Sequence, residues 1–87
     1  MRQLRPPEAI AVTLHNSRPV SFYFYERRYL VTHVYGPWIV DSDWWNRTIT
    51  KSEQWDLIAR EENGFPLCCC IMRNLLDKNW QMVSLYD

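Results

Sequence analysis

Apolar and polar side chains alternate along most of this chain, and a period of two residues is typical of β-strands. The alternation is clear in the segment 20–25, where Val20, Phe22 and Phe24 would form one face of a strand. Apolar residues at the helical spacing of three and four are hard to find. The pattern therefore predicts an all-β protein.

Seven alternating segments follow one another at intervals of about ten residues, with no internal repeat. They cover residues 10–14, 20–25, 29–35, 38–45, 55–60, 67–73 and 80–86. This spacing predicts six to seven antiparallel strands in a meander. Such a meander forms a small barrel or two packed sheets, and the alternation does not choose between them.

Turn-forming residues separate the predicted strands. The expected connections are Glu26-Arg27, Gly36-Pro37, the loop 46–52, Asn63-Gly64 and the segment 74–79. Asn-Gly is the dipeptide most typical of a tight hairpin, and Gly-Pro is expected to end one strand before the next begins. Segment 74–79 is compatible with a loop or with one helical turn.

The length of 87 residues is appropriate for one domain. Because Pro6 and Pro7 lack backbone N–H groups, residues 1–7 are expected to form a flexible lead-in, with residues 8–87 as a single β-domain. Ten basic side chains balance ten acidic ones. This balance argues against a protein that binds nucleic acid through bulk positive charge.

The N-terminal residues lack the apolar core of a signal peptide, and no apolar run approaches the ~20 residues of a membrane span. Three consecutive cysteines, Cys68 to Cys70, do not suggest a disulfide framework. These features predict a cytoplasmic protein that does not interact with membranes.

No catalytic motif or phosphate-binding glycine loop is present, so the sequence predicts a protein without enzymatic activity, cofactor or bound metal. In a strand, Cys69 would point away from Cys68 and Cys70, which disfavours a metal-binding knuckle and favours packing in the core. Asp41 and Asp43 would share one face of a strand. A solvated edge is the interpretation we prefer there over a cation site.

The adjacent pair Trp44-Trp45 is the strongest candidate for a binding site. Neighbouring residues of a strand point to opposite faces, so one indole would be exposed, and exposed tryptophans are typical of binding surfaces. The predicted partner-binding residues are Trp44, Trp45, Trp38, Tyr35, Asp41 and Asp43. They would bind another protein, which the sequence does not identify.

A single-stranded nucleic acid is the alternative ligand, since aromatic platforms beside basic residues bind unpaired bases. Its predicted site consists of Tyr23, Tyr25, Tyr29, Arg18, Arg27 and Arg28. The competing interpretation places Phe22 and Phe24 in the core and pairs the tyrosines across strands. Self-association into a homodimer through exposed aromatic side chains is a third hypothesis.

Short aromatic motifs occur in a defined order along most of residues 18–87. They are Pro19–Phe24, Arg28-Tyr29, Trp44-Trp45, Gln54-Trp55, Asn63-Gly64, Trp80 and Tyr86-Asp87. Their order resembles a family of small bacterial domains of unknown function. From Gly36-Pro37 onward the chain is also similar to the C-terminal tail domain of ImuB-type proteins, degenerate relatives of translesion polymerases. That resemblance implies a partner-binding module linked to DNA repair; the cysteine-rich strand departs from the pattern, which has aromatic residues there.

Overall fold

The computed structural model describes residues 2–42 and 50–86. Six strands are present: β1 (Arg2–His15), β2 (Arg18–Phe24), β3 (Arg27–Ser42), β4 (Thr50–Arg60), β5 (Leu67–Asn74) and β6 (Trp80–Tyr86). Each strand is antiparallel to the next, and β6 pairs with β1, so one sheet closes in a ring. The predicted all-β meander is confirmed.

The described part of the chain contains no helix that is long and apolar enough to span a membrane.

The strand expected to break at Gly36-Pro37 instead continues through both residues, which is why there are six strands and not seven. Tyr35 pairs with Asp56 and Trp38 with Gln54, so β3 contains one residue more than β4 across this step. Pro37 falls at that irregularity, where the missing N–H breaks no regular ladder bond. The Gly-Pro pair therefore acts as a bulge.

The sequence predicts a flexible lead-in over residues 1–7, but residues 2–7 belong to β1, and the prediction is corrected for them. Arg2 pairs with Leu85, and the next described pairing with β6 after Gln3 is that of Glu8. Pro6 and Pro7 lie within this register shift. Proline has no backbone N–H to donate to a neighbouring strand, and no regular pairing with β6 is required at these two residues.

Two tight hairpins join the first three strands. Asn16 and Ser17 have φ angles of 51° and 63°, and Tyr25 and Glu26 have φ angles of 50° and 63°. Two consecutive positive φ angles are the signature of a type I′ turn, whose twist matches that of the flanking strands. The expected turn at Glu26-Arg27 is therefore wrong by one residue, because Arg27 already pairs with β2.

Three further connections were predicted, and the structure describes two of them completely: Asn63-Gly64 and the segment after Asn74. Asn63-Gly64 lies between β4 and β5, as predicted, where the Gly64 N–H donates to the Glu61 carbonyl at 3.1 Å. The turn after Asn74 is not helical; the Asn74 Oδ1 atom accepts a hydrogen bond from the Leu76 N–H at 2.7 Å. Most of the loop predicted over 46–52 lies outside the described residues, and its end is already part of β4.

The core fills the inside of the ring with alternate side chains from its strands. Its buried members are Phe22, Phe24, Trp55, Leu57, Ala59, Cys69, Ile71, Met82 and Leu85. Phe22 is stacked on Tyr29 of the neighbouring strand, with ring centroids 5.2 Å apart. Alternation on β4 places Trp55 and Leu57 inside, so the residues between and beside them face outward.

Candidate functional site

A row of side chains crosses the outer face of the sheet, with one residue from each of four neighbouring strands. The row consists of Tyr35 on β3, Asp56 on β4, Cys70 on β5 and Ser84 on β6. Directly paired residues in antiparallel strands share a face, and Asp56 lies between the interior residues Trp55 and Leu57. The whole row therefore faces outward, and we refer to it as the Asp56 row.

Two large aromatic side chains stand on this face. Tyr35 is 51% exposed and Trp38 is 48% exposed. Their partners, Asp56 and Gln54, are two residues apart on β4, so Tyr35 and Trp38 belong to one face, at positions roughly 7 Å apart along the strand. We call Tyr35 and Trp38 the aromatic pair.

The indole of Trp38 packs against bare backbone at Gly36. A Cβ atom at Gly36 would lie 3.0 Å from Cε3 of Trp38 and 2.9 Å from the carbonyl oxygen of Gln54. Gly36 also has a φ of +110°, which side chains rarely permit. The Gly-Pro bulge therefore supplies the surface on which the exposed indole rests.

Of the four other predicted partner-binding residues, the structure describes one, Asp41. Asp41 lies near the end of β3 and accepts a hydrogen bond from Lys51 Nζ at 3.4 Å, in an ion pair exposed to solvent. Asp43, Trp44 and Trp45 lie outside the described residues. The structure therefore brings together Tyr35 and Trp38 from the predicted set. No group of three or more potential metal ligands occurs within residues 2–42 and 50–86.

Asp56 has a local environment that the sequence does not reveal. Its Oδ1 atom is buried and has no hydrogen-bond partner. The protonated Cys70 thiol hydrogen-bonds to the Asp56 carboxylate. On one side of it in the row is Tyr35, and on the other are the buried Cys70 and Ser84.

The three consecutive cysteines occupy three different environments. Cys69 points into the core, whereas Cys70 lies between Asp56 and Ser84 on the outer face and Cys68 is exposed. Burial raises the pKa of the Cys69 thiol to about 12. Burial and the negative charge of Asp56 raise the pKa of the Cys70 thiol to about 12. Both buried cysteines are therefore protonated at neutral pH.

Only one of the three thiols is expected to react rapidly with an aromatic disulfide reagent in the folded protein at pH 8. The thiolate is the reactive species, and Cys69 and Cys70 are both buried and protonated, whereas Cys68 is exposed. Spectroscopic counting should give one fast thiol when folded and three in denaturant. The variant C68S should have no fast thiol; a fast thiol remaining in that variant would contradict the assignment.

The tyrosines of the predicted nucleic-acid site do not share one surface. Tyr23 is exposed and pairs with Arg28 on the outer face. The Tyr25 hydroxyl donates to Glu8 at 3.2 Å, and this hydrogen bond raises the pKa of the tyrosine. Tyr29 is partly buried, and its ring stacks on Phe22 against the core. A base could stack on Tyr23, but Tyr29 does not extend that platform.

The arginines of that alternative site are also separated. Arg27 forms an ion pair with Glu61 at 3.3 Å. Arg18 lies at the opposite end of β2 and lines a different opening. Arg28 borders a shallow depression of about 450 Å³ together with Glu61 and Glu62. Carboxylates therefore accompany two of the three arginines, and the structure does not assemble a basic groove from them.

An opening of about 300 Å³ lies at one end of the ring, lined by residues of four strands. The sequence does not predict it, because its lining residues are far apart along the chain. On its wall, Arg73 Nε donates to Glu53 Oε1 at 2.8 Å. The Arg73 guanidinium also lies over the Trp80 ring, 5.1 Å from its centroid. Arg73 is thus held by a carboxylate and an aromatic ring together, which stabilises the pairing of these strands.

No protein-family model matches the chain, and neither the curated proteins nor the solved structures contain a match.

Proposed function

We propose that this protein is a non-enzymatic protein-interaction module that binds its partner through the face bearing the aromatic pair. The observation that carries the proposal is that Tyr35 and Trp38 stand half-exposed on one outer face. Exposed tyrosine and tryptophan provide large contact area at low entropic cost, and such residues dominate the binding energy of protein interfaces.

Because the sheet is closed, we expect the partner to contact side chains of this protein and not to add a strand to its sheet. A common way for a β-protein to bind a peptide is to add it as a strand at an open edge. Here β1 pairs with β6, so both outermost strands of the meander are already paired. The partner would therefore contact the outer face, where Gly36 supports the indole of Trp38 before binding. Such preorganisation reduces the entropic cost of association.

The resemblance to the ImuB-type tail domain selects the first proteins to test. Its motifs span much of β4 to β6, the strands that form this face together with β3. We propose that the partner belongs to DNA repair or translesion synthesis. A purified set of such proteins is accordingly the first panel for binding measurements.

The test compares two aromatic-to-alanine substitutions at exposed positions. W38A is expected to weaken partner capture by about 30-fold, the effect of losing an interface residue worth about 2 kcal/mol. F65A is the matched control, because Phe65 lies in the β4–β5 connection and is 94% exposed. Affinity pull-down followed by a titration with the captured protein measures both. Equal capture by W38A and the parent protein would refute the proposal.

Single-stranded nucleic acid is the second candidate, favoured by the exposed Tyr23–Arg28 pair on the outer face. An amide NMR titration with an oligonucleotide at low salt should shift these two residues if this function operates. Binding of this type weakens steeply as salt is added. A titration that shifts neither residue excludes this function.

A homodimer is the third hypothesis. Sedimentation of the same sample tests it, and a monomer at high concentration would exclude it.

A further inference from the structure

The opening at one end of the ring lies where β2 and β3 separate. These strands pair from Phe24 opposite Arg27 to Ser21 opposite Leu30, and the later residues of β3 pair with β4. The start of β2 and the Gly-Pro bulge of β3 both line the gap that results. Its volume of about 300 Å³ is at the lower end of the range typical of small-molecule sites.

The inner wall of the opening contains an arginine that is already fixed in place. Glu53 is two residues from the buried Trp55 on β4, so it belongs to the inner side of the sheet, and Arg73 pairs with it from β5. Glu53 accepts hydrogen bonds from Nε and Nη2 of Arg73. The Arg73 side chain is 20% exposed. Its Nη1 group, which this pair does not use, can therefore donate to an anion in the opening.

A second arginine lines the opening without a carboxylate partner. Arg18 is exposed and forms no ion pair within residues 2–42 and 50–86. Asn16 and Ser17 precede it in the type I′ turn and supply polar groups at the rim. Two arginines and one carboxylate give the lining a net charge of +1. A ligand group with a single negative charge therefore complements the opening.

We propose that the opening binds a small organic molecule through its carboxylate, which Arg18 and Arg73 hold together. A guanidinium presents parallel N–H donors that match the two oxygens of a carboxylate. Glu53 in the same wall would repel a second negative charge, so a carboxylate fits better than a phosphate dianion. Pro37 and Trp55 also line the opening and provide apolar contact for the rest of the molecule.

This site is separate from the interface proposed above. Glu53 and Arg73 belong to the inner side of the sheet, whereas the aromatic pair stands on the outer face. Binding in the opening and capture of a protein partner can therefore be measured independently.

The experiment is an amide NMR titration with benzoate and with benzamide, which have nearly the same shape but differ in charge. Benzoate should shift the Ser17 and Gly36 amide signals and the Trp55 indole signal saturably, with a dissociation constant on the order of 10 mM. Benzamide should cause no saturable shift of these signals. Inorganic phosphate is the third compound and should bind more weakly than benzoate. The proposal is overturned by equal shifts with benzoate and benzamide, by no shifts with benzoate, or by phosphate binding at least as tightly.

Two variants that remove one positive charge each locate the site. R18Q should weaken benzoate binding about tenfold, because a hydrogen bond between charged groups is lost. R60Q is the matched control, since Arg60 is also exposed but lies at the other end of β4, opposite Leu30. R60Q should bind benzoate like the parent protein, and both variants should retain the parent amide spectrum. Parent-like binding by R18Q, or equal weakening in both variants, would refute the site.

Discussion

The variant F22A is expected to lose about 3–5 kcal/mol of the free energy of unfolding. Phe22 is fully buried, and its ring stacks on Tyr29 inside the ring of strands. Alanine would remove this contact area and leave a cavity that neighbouring strands cannot close without breaking their pairing. Domains have a total stability of about 5–15 kcal/mol, so F22A would remove a large share of it.

The matched control is the same substitution at the most exposed phenylalanine among the described residues. Phe65 is 94% exposed, and a surface substitution of this kind changes stability by about 0.5 kcal/mol or less. Urea unfolding followed by circular dichroism should therefore separate F22A from F65A by a large difference in midpoint. Similar midpoints for the two variants would show that the interior position of Phe22 is wrong.

The variant G36A is expected to destabilise the protein by about 1–3 kcal/mol or more. Two causes act together at this position. The backbone φ of +110° is strained for alanine, and the new Cβ atom would lie 2.9 Å from the carbonyl oxygen of Gln54. The same Cβ would lie 3.0 Å from the indole of Trp38, so the aromatic pair should also be displaced.

G64A provides the comparison, because the chain has only these two glycines. At Gly64, the closest contact of a new Cβ is the Cβ of Glu61 at 3.3 Å, which a small shift of an exposed loop can relieve. Urea unfolding should place G64A close to the parent protein and G36A well below it. The indole signal of Trp38 should move in G36A only. Equal stability of the two variants would exclude the bulge geometry at Gly36.

Much of the fold follows from the alternation of side chains. The alternation predicts Phe22 and Phe24 on one face of β2, and both lie in the core, as do alternate residues of β4 such as Trp55 and Leu57. This prediction succeeds because each strand has one face against the interior, which imposes a period of two on its own sequence. The antiparallel order of the strands follows from the same signal, whereas the reduction from seven segments to six strands does not.

Features that depend on a neighbouring strand could not be predicted in this way. Gly36-Pro37 has the local chemistry of a strand break, but pairing with β4 on both sides carries β3 through it. Residues 2–7 have the composition of a flexible segment, but pairing of Arg2 and Gln3 with the end of β6 makes them part of a strand. Tertiary pairing overrides local preference at both positions.

The candidate site was predictable only in part. The sequence predicts Tyr35 and Trp38 as partner-binding residues beside the exposed member of the tryptophan pair, and both are exposed on the outer face. Asp56 was missed, because an acidic residue between apolar ones is also the ordinary pattern of a half-buried strand. The burial of its Oδ1 atom and its hydrogen bond with Cys70 depend on which residues β3, β5 and β6 place beside it.

The pairing of β1 with β6 has a consequence for the kinetics of folding. Arg2 pairs with Leu85, so closing the ring joins residues from the two ends of the sequence. The loop-closure entropy of that step is larger than for any adjacent hairpin, and proteins rich in distant pairings fold in milliseconds to seconds. The hairpins joining β1 to β3 close short loops, so they are the natural early structure. We therefore expect the pairing of β6 with β1 to be the slowest step of folding.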